Sequence, residues 1–494
     1  MKKYWIAALL SAGVFAVLFS IRTGMMPDFF GQNQDVQSAL PGGQALPTRD
    51  TWMDILQNGE KIGYTHTVFF EQGEGYVLKE TVFMQLNAMD LLHRVQMETT
   101  ASLTADLAID TFRIQIGSGR FKFTATGMIE DNAVVVNTGT GGETRQVSIP
   151  VKEPPYLAAG ALYAICNTGL APGETMTFSV FDPSVMASAP ARITVIGKEK
   201  LAVMDVPMDV TKVRMEFKGA EQFAWISENC EILKEAGILG LTLVKTREQD
   251  ALSGISEKAP DITDLAAIPS NVRFDNPERL KTLKVEVTGV DADPALFATE
   301  RQTIAGQVLT IKKEEMPAKA DGQAALHSSF APYLEADAFI QADDPQIMET
   351  ATRVVSGRKT AVEKARALVD WIYAKIDKRA VASLPNAMET LENREGDCNE
   401  HAMLLAAMAR AVGIPARVEA GVVYLDGYFY YHAWNTLYLG KWITADSAFG
   451  QIPADVTHIR MAGGSGDAQL DLMGLIGRVN LNVIEYSFAD SVNR

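Results

Sequence analysis

One stretch, from Asn393 to Gly450, limits what this chain can be more than any other. Inside it, Ala402, Leu405, Ala406 and Ala409 recur at helical spacing, which predicts a helix from Asn399 to about Val412. Gly413 and Pro415 supply the stop. Cys398 stands where a loop becomes that helix, and there unpaired amides and the positive end of the helix dipole favour a thiolate. Asp397 is placed to cap the helix start; its negative charge would oppose ionisation of the sulfur, so it is assigned no chemistry.

Two strands are expected next. Residues 428 to 439 (Y-F-Y-Y-H-A-W-N-T-L-Y-L) are rich in aromatic and β-branched residues, and the two-residue period sets Tyr430, His432, Trp434 and Thr436 on one face. Residues 441 to 447 (K-W-I-T-A-D-S) follow through the turn residues Gly440 and Lys441. A short hairpin would lay the strands side by side, so that the imidazole of His432 and the carboxylate of Asp446 meet across them. Nucleophile at a helix start, base on a strand, orienting carboxylate on the next is the logic of an activated thiol. Each residue alone has a plainer reading, since a cysteine before an alanine-rich helix is usually a small buried hydrophobe. The joint pattern reverses that.

The order L-P-N-A-M-E-T-L (384 to 391), G-D-C-N-E-H-A, A-R-A-V-G-I-P-A-R (409 to 417), H-A-W and D-S-A-F-G resembles the transglutaminase-like superfamily, which shares its core with papain-like cysteine proteases. The resemblance covers about the last third of the chain. It implies an α+β core in which Cys398 is the nucleophile, His432 the general base and acid, and Asp446 the group that orients His432. Trp434 and Trp442 are expected to wall the site or pack under it, and Trp371 to lie in the core. His401 is read as lying outside the chemistry and His458 as structural or exposed; His66, His93 and His327 are read as surface or packed residues.

The rest of the chain is organised around this module. Lys2 and Lys3 precede an apolar run from Tyr4 to Ile21 closed by Arg22, long enough as a helix to cross a bilayer core. Small residues suited to cleavage do not follow in the right places, so 1–24 reads as an uncleaved signal anchor rather than a removed signal peptide. The lysines hold its start in the cytoplasm and send the remainder into the periplasm or extracytoplasmic space. Residues 25–48 read as a linker, 49–253 as antiparallel β-rich structure, 254–331 as a connector with further strands, and 332–494 as the catalytic domain. The fold class is thus α+β, an N-terminal β-rich part followed by the papain- or transglutaminase-like core. Cys166 and Cys230 form an even pair that an oxidising compartment could bridge, but the expectation is two unpaired thiols.

A net charge of −16 without a basic, aromatic-laced patch argues against nucleic acid as a partner. No C-x-x-C, H-x-H or H-E-x-x-H spacing occurs, so neither a metal nor another cofactor is expected. The expected partners are a protein or peptide substrate and, through the first helix, a membrane. Acyl transfer through a thioester would give hydrolysis with water or cross-linking with an amine; the resemblance to bacterial secreted members of the superfamily favours hydrolysis, with transamidation close behind. The alternative from another class is a membrane-tethered, non-catalytic scaffold that binds peptides or envelope components.

Overall fold

The computed structural model describes residues 46–488, apart from 89–90, 120, 141–142, 167, 184–185, 218–219, 258–260, 291–292, 318–327, 382–384, 464–471 and 473. The expected anchor at 1–24, most of the linker at 25–48, and His327 lie outside the described residues. Among those described, no helix is long and apolar enough to cross a membrane. The chain is β-rich, and it forms two compact units that divide between Ile262 and Thr263.

The first unit is one antiparallel sheet of fourteen strands. In space they run from the eighth strand to the first, then from the fourteenth back to the ninth, so two meanders join where Arg49–Gln57 pairs with Leu241–Thr246. The first hairpin turns at Asn58 and Gly59, both at positive φ (50° and 87°), the backbone that lets a two-residue turn follow strand twist. Along Arg49–Gln57 every second residue is buried, as a sheet with one covered face requires. Phe112 in Ile109–Ser118 and Phe181 in Thr175–Asp182 sit far apart in the strand order, yet their ring centroids are 5.5 Å apart. The sheet therefore curls over a shared interior, as large twisted sheets do. The helix Ala158–Cys166 is buried along most of its length, with Tyr163 packed on Phe69 at 4.8 Å.

The expectation of two unpaired thiols fails here. Cys166 and Cys230 are disulfide-bonded, with Cα atoms 5.7 Å apart. Cys166 ends the interior helix, and Cys230 lies in the turn after Ala220–Ser227 at φ 60°. Only the curl of the sheet brings these two ends together. Closing a separation of 64 residues stabilises the unit by about 2–4 kcal/mol.

The second unit takes in the described residues between Thr263 and Ala331, most of the stretch 254–331 that the sequence suggests as a connector with further strands. Leu280–Thr288 pairs with Val308–Lys312 on one side and with the C-terminal strand Asn480–Phe488 on the other. A second sheet is built on Ala416–Leu425 and Tyr428–Tyr438, flanked by Ile459–Gly463 and Ile268–Pro269, with Trp442–Ala445 also paired to Tyr428–Tyr438. Helices Pro345–Val354, Ala361–Lys375, Ala387–Asn393 and Cys398–Ala411 share one apolar core with it, including Ile347, Leu368, Leu405, Leu437 and Ile443. Local chemistry starts each helix: Asp344 caps a Pro at the first position, and Thr360 with Glu363 forms a capping box. The helix Cys398–Ala411 is buried at every residue from Cys398 to Ala409, so it has no wet face and forms the centre of the unit.

Candidate active site

The loop-to-helix junction around Cys398 is held by reciprocal caps. The Asp397 carboxylate accepts the Asn399 amide at 2.9 Å, and the Glu400 carboxylate accepts the Asp397 amide at 3.0 Å. Gly396 permits this close turn, because a Cβ there would lie 2.4 Å from the Glu400 Cβ. The strand carrying His432 crosses the same helix: the Asn435 amide group donates to the Ala402 carbonyl at 2.9 Å, and the Ala433 N–H donates to the Cys398 sulfur. Opposite His432 in the register stands Gly421, where a Cβ would meet the Ile459 carbonyl at 2.0 Å and the Trp434 ring at 2.9 Å.

Asp446 arrives by the expected hairpin. Asn435 pairs with Ala445, so one further step sets Asp446 opposite Trp434, on the face that carries His432. His432 Nε2 lies 2.7 Å from Asp446 Oδ2. The second ring nitrogen, Nδ1, is buried and has no hydrogen-bond partner. Thus His432 and Asp446 are in direct contact, and Cys398 lies against the next residue of the His432 strand.

Sequence reasoning missed His458, which is neither exposed nor remote. Its Nε2 lies 2.9 Å from the same Asp446 Oδ2, and its Nδ1 is 3.5 Å from Asp455 Oδ1. Asp446 Oδ1 accepts the amides of Ala448 and Phe449 at 2.7 and 3.0 Å, so its carboxylate is bound on both oxygens. Asp455 is held in turn by the Thr457 amide and hydroxyl (2.8 and 2.6 Å) and by the Gln451 side-chain amide (3.0 Å). Beneath this loop lies the buried guanidinium of Arg301, donating to the carbonyls of Ala454, Asp455 and His458 at 2.8, 3.2 and 2.7 Å and pairing with Glu314 at 3.4 Å. No spacing rule announces His458 or Arg301; the D-V-T-H run at 455–458 is a weak signal that only the fold makes legible.

Burial governs the electrostatics. It pushes the Cys398 thiol well up, and the neighbouring Asp397 charge adds to this, outweighing the Ala433 hydrogen bond. The expected lowering by the helix start is overridden. Burial also lowers His432, against the opposing pull of Asp446. The resting pair is therefore a neutral thiol and a neutral imidazole. For Asp446 burial alone would raise the pKa, but the charge and hydrogen bond of His432 and those of His458 hold it well below the carboxylate range. His458 is the reverse case: burial lowers it, yet its hydrogen bond to Asp446 and the nearby carboxylate of Asp455 push it up to about 9. His401 is held down to about 4 by burial, with Nδ1 at 2.6 Å from the Asp397 carbonyl.

These residues are closed off from solvent. Cys398 and His432 are 0% exposed and Asp446 1%. Trp434 lies nearly parallel to the His432 ring at 6.1 Å, and half-buried Phe449 stands edge-on to it at 5.1 Å. Trp442 does not wall the site; it packs with Phe330, Tyr333 and Tyr438 under the Arg417 guanidinium, 3.9 Å from its ring. Trp371 is half-buried at the edge of the core, with Arg394 4.9 Å over it. One donor atom each from His432, Asp446 and His458 falls within 4.8 Å of the others, a spacing that a cation can use. The contacts at 2.7 and 2.9 Å are, however, satisfied as hydrogen bonds.

Residues 348–447 match the Transglutaminase-like superfamily, a span that includes Cys398, His432 and Asp446 and stops short of His458. No curated protein matches the chain. Among solved structures, a protein from Cytophaga hutchinsonii described as a candidate cysteine protease is 18% identical over 44% of this chain and 91% of its own, with a TM-score of 0.28. A β-barrel-like protein from Brucella abortus is 11% identical over 41% of this chain and 95% of its own (TM-score 0.32). The periplasmic domain of TgpA from Pseudomonas aeruginosa, bound to ethylmercury, is 12% identical over 37% and 89% (TM-score 0.24).

Proposed function

We propose that the chain is a thiol enzyme acting on peptide or amide bonds, with Cys398 as nucleophile, His432 as general base and acid, and Asp446 as the group that orients His432. One observation carries the reading. His432 is bonded through Nε2 to a buried carboxylate, while Nδ1 is left unpartnered on the strand that covers the chain's one free thiol. An unpartnered buried nitrogen costs about 1–3 kcal/mol, and a role as acceptor of the thiol proton accounts for it.

In this reading His432 Nδ1 takes the Cys398 proton and the sulfur attacks the substrate carbonyl. The Cys398 backbone amide at the helix start helps to hold the oxyanion. The imidazolium then gives its proton to the leaving amine, and a thioester remains. Water releases an acid, with His432 as base again; an amine releases a new amide instead. The resemblance favours hydrolysis, with transamidation close behind. The papain-like α+β core implied by the resemblance belongs to this same reading. So does action outside the cytoplasm behind a signal anchor at 1–24, which the Cys166–Cys230 disulfide supports, since such bonds persist in oxidising compartments.

A second reading rests on a different observation. The thiol and imidazole are sealed from solvent, and burial keeps the thiol protonated. A non-catalytic peptide- or envelope-binding module would show the same features. Assay of the full chain with peptide and glutamine-donor substrates, with and without an added amine, separates the two. The enzyme reading expects product from the wild type and none from Cys398→Ser. Substrate binding without product in both proteins would establish the binder.

A further inference from the structure

We propose that His458 is a positioning residue of the thiol site: as an imidazolium at neutral pH, bonded to the same oxygen of Asp446 as His432, it locks the carboxylate and sets the basicity of His432. The proposal deepens the reading of Cys398, His432 and Asp446 as a reacting group and rests on it for its consequence. The charge on His458 follows from geometry. Its Nε2 bonds Asp446 Oδ2 at 2.9 Å, while its Nδ1 makes no hydrogen bond but lies at ion-pair distance, 3.5 Å, from Asp455 Oδ1, so two carboxylates face one buried ring. A buried ring held between two carboxylates is favoured as the imidazolium, because both negative charges attract it in a dry site. The upward push on His458 agrees.

The other groups facing these rings are few. His432 lies 5.7 Å from the His458 ring, while Trp434 and Phe449 present edges at 5.3 and 5.7 Å and carry no charge. Arg301 binds the His458 carbonyl and pairs with Glu314, while Lys378 reaches Asp446 only through its field. Around the carboxylate, then, one imidazolium is already present before His432 accepts any proton. It takes up part of the charge that would otherwise stabilise His432 as a cation, and it repels that second cation at close range in a dry site. The neutral thiol–imidazole pair is thereby favoured at rest. His458 also keeps Asp446 Oδ2 where His432 Nε2 needs it, which fixes the His432 ring.

Two measurements on the full chain test this. In ¹⁵N-histidine NMR spectra of the wild type near pH 7, assigned with His432→Gln and His458→Gln, His458 should show both ring nitrogens protonated and His432 should be neutral. A neutral His458 in the wild type overturns the proposal, whatever the variants do to turnover. In His458→Gln, which keeps an N–H donor for Asp446 but no charge, the His432 pKa should rise by about one unit. The acid limb of the turnover–pH profile should move to higher pH by the same amount. A merely structural role would lower the rate and leave the limb and the His432 titration in place, and that result also overturns it. If the histidines titrate as expected while Cys398→Ser keeps full activity, the thiol reading fails and the His458 assignment stands.

Discussion

The two units of this molecule differ in how much charge they bury. The sheet unit covers aliphatic and aromatic side chains such as Ile55, Phe69, Met84, Phe112 and Phe217, and it is clamped by a disulfide. The unit that starts at Thr263 hides His432, Asp446, Asp455, His458, Arg301 and Glu419, each 8% exposed or less. Apolar burial stabilises in proportion to area. Buried ions roughly break even at best, because desolvation offsets their attraction, and they become a large liability when one partner is lost. The difference teaches where to look for chemistry: one unit is packed for stability, and the other carries a costly polar network that only a demand for geometry explains.

The largest expected effect belongs to the sulfur. Cys398→Ser should abolish turnover, and His432→Ala should lower it by about 10²–10⁴-fold, while the midpoint of chemical denaturation moves little in Cys398→Ser. Next is Arg301→Met, which leaves Glu314 and three carbonyls without their cation. Denaturant titration should show a loss of about 3–5 kcal/mol in the site-bearing unit. Replacing Cys166 and Cys230 together by alanine should cost about 2–4 kcal/mol, measured the same way, and should leave turnover unchanged. If that pair of changes instead removed activity, the contrast between the units would be broken.

The smallest effect is a pH slope. His458 is raised in the folded chain, from 6.5 to about 9, so its contribution is complete below the unfolded value and is lost as pH rises through about 9. Between pH 6.5 and about pH 8 the wild type should lose about 2 kcal/mol relative to His458→Gln. Stability curves that run parallel over that window would show His458 to be neutral when folded.

Much of the site could be read from residues alone, because its elements are local. The helix after Cys398 has helical spacing and a Gly413–Pro415 stop, and the hairpin holding His432 and Asp446 has a two-residue period and a turn. The β texture of the first unit was legible for the same reason. What escaped depends on long-range closure. Cys166 meets Cys230 only after the sheet curls, and Arg301 reaches Asp455 and His458 across more than 150 residues. His458 carries no periodic signature, because its partners come from a strand end and a loop. The ionisation of Cys398 was misjudged for a physical reason: a helix start favours thiolate, but complete burial opposes it more strongly.

The central claim concerns the sulfur and its imidazole, and one measurement reaches it most directly. With Cys166 and Cys230 bridged, Cys398 is the only thiol among the three cysteines, so intact mass after mild iodoacetamide treatment of the folded chain reports on it alone. Because the thiol is sealed and protonated at rest, the account expects a single adduct that forms slowly at neutral pH, and about 10²-fold more slowly still in His432→Ala. A folded wild type that stays unmodified, or one that reacts at the same rate without His432, contradicts it.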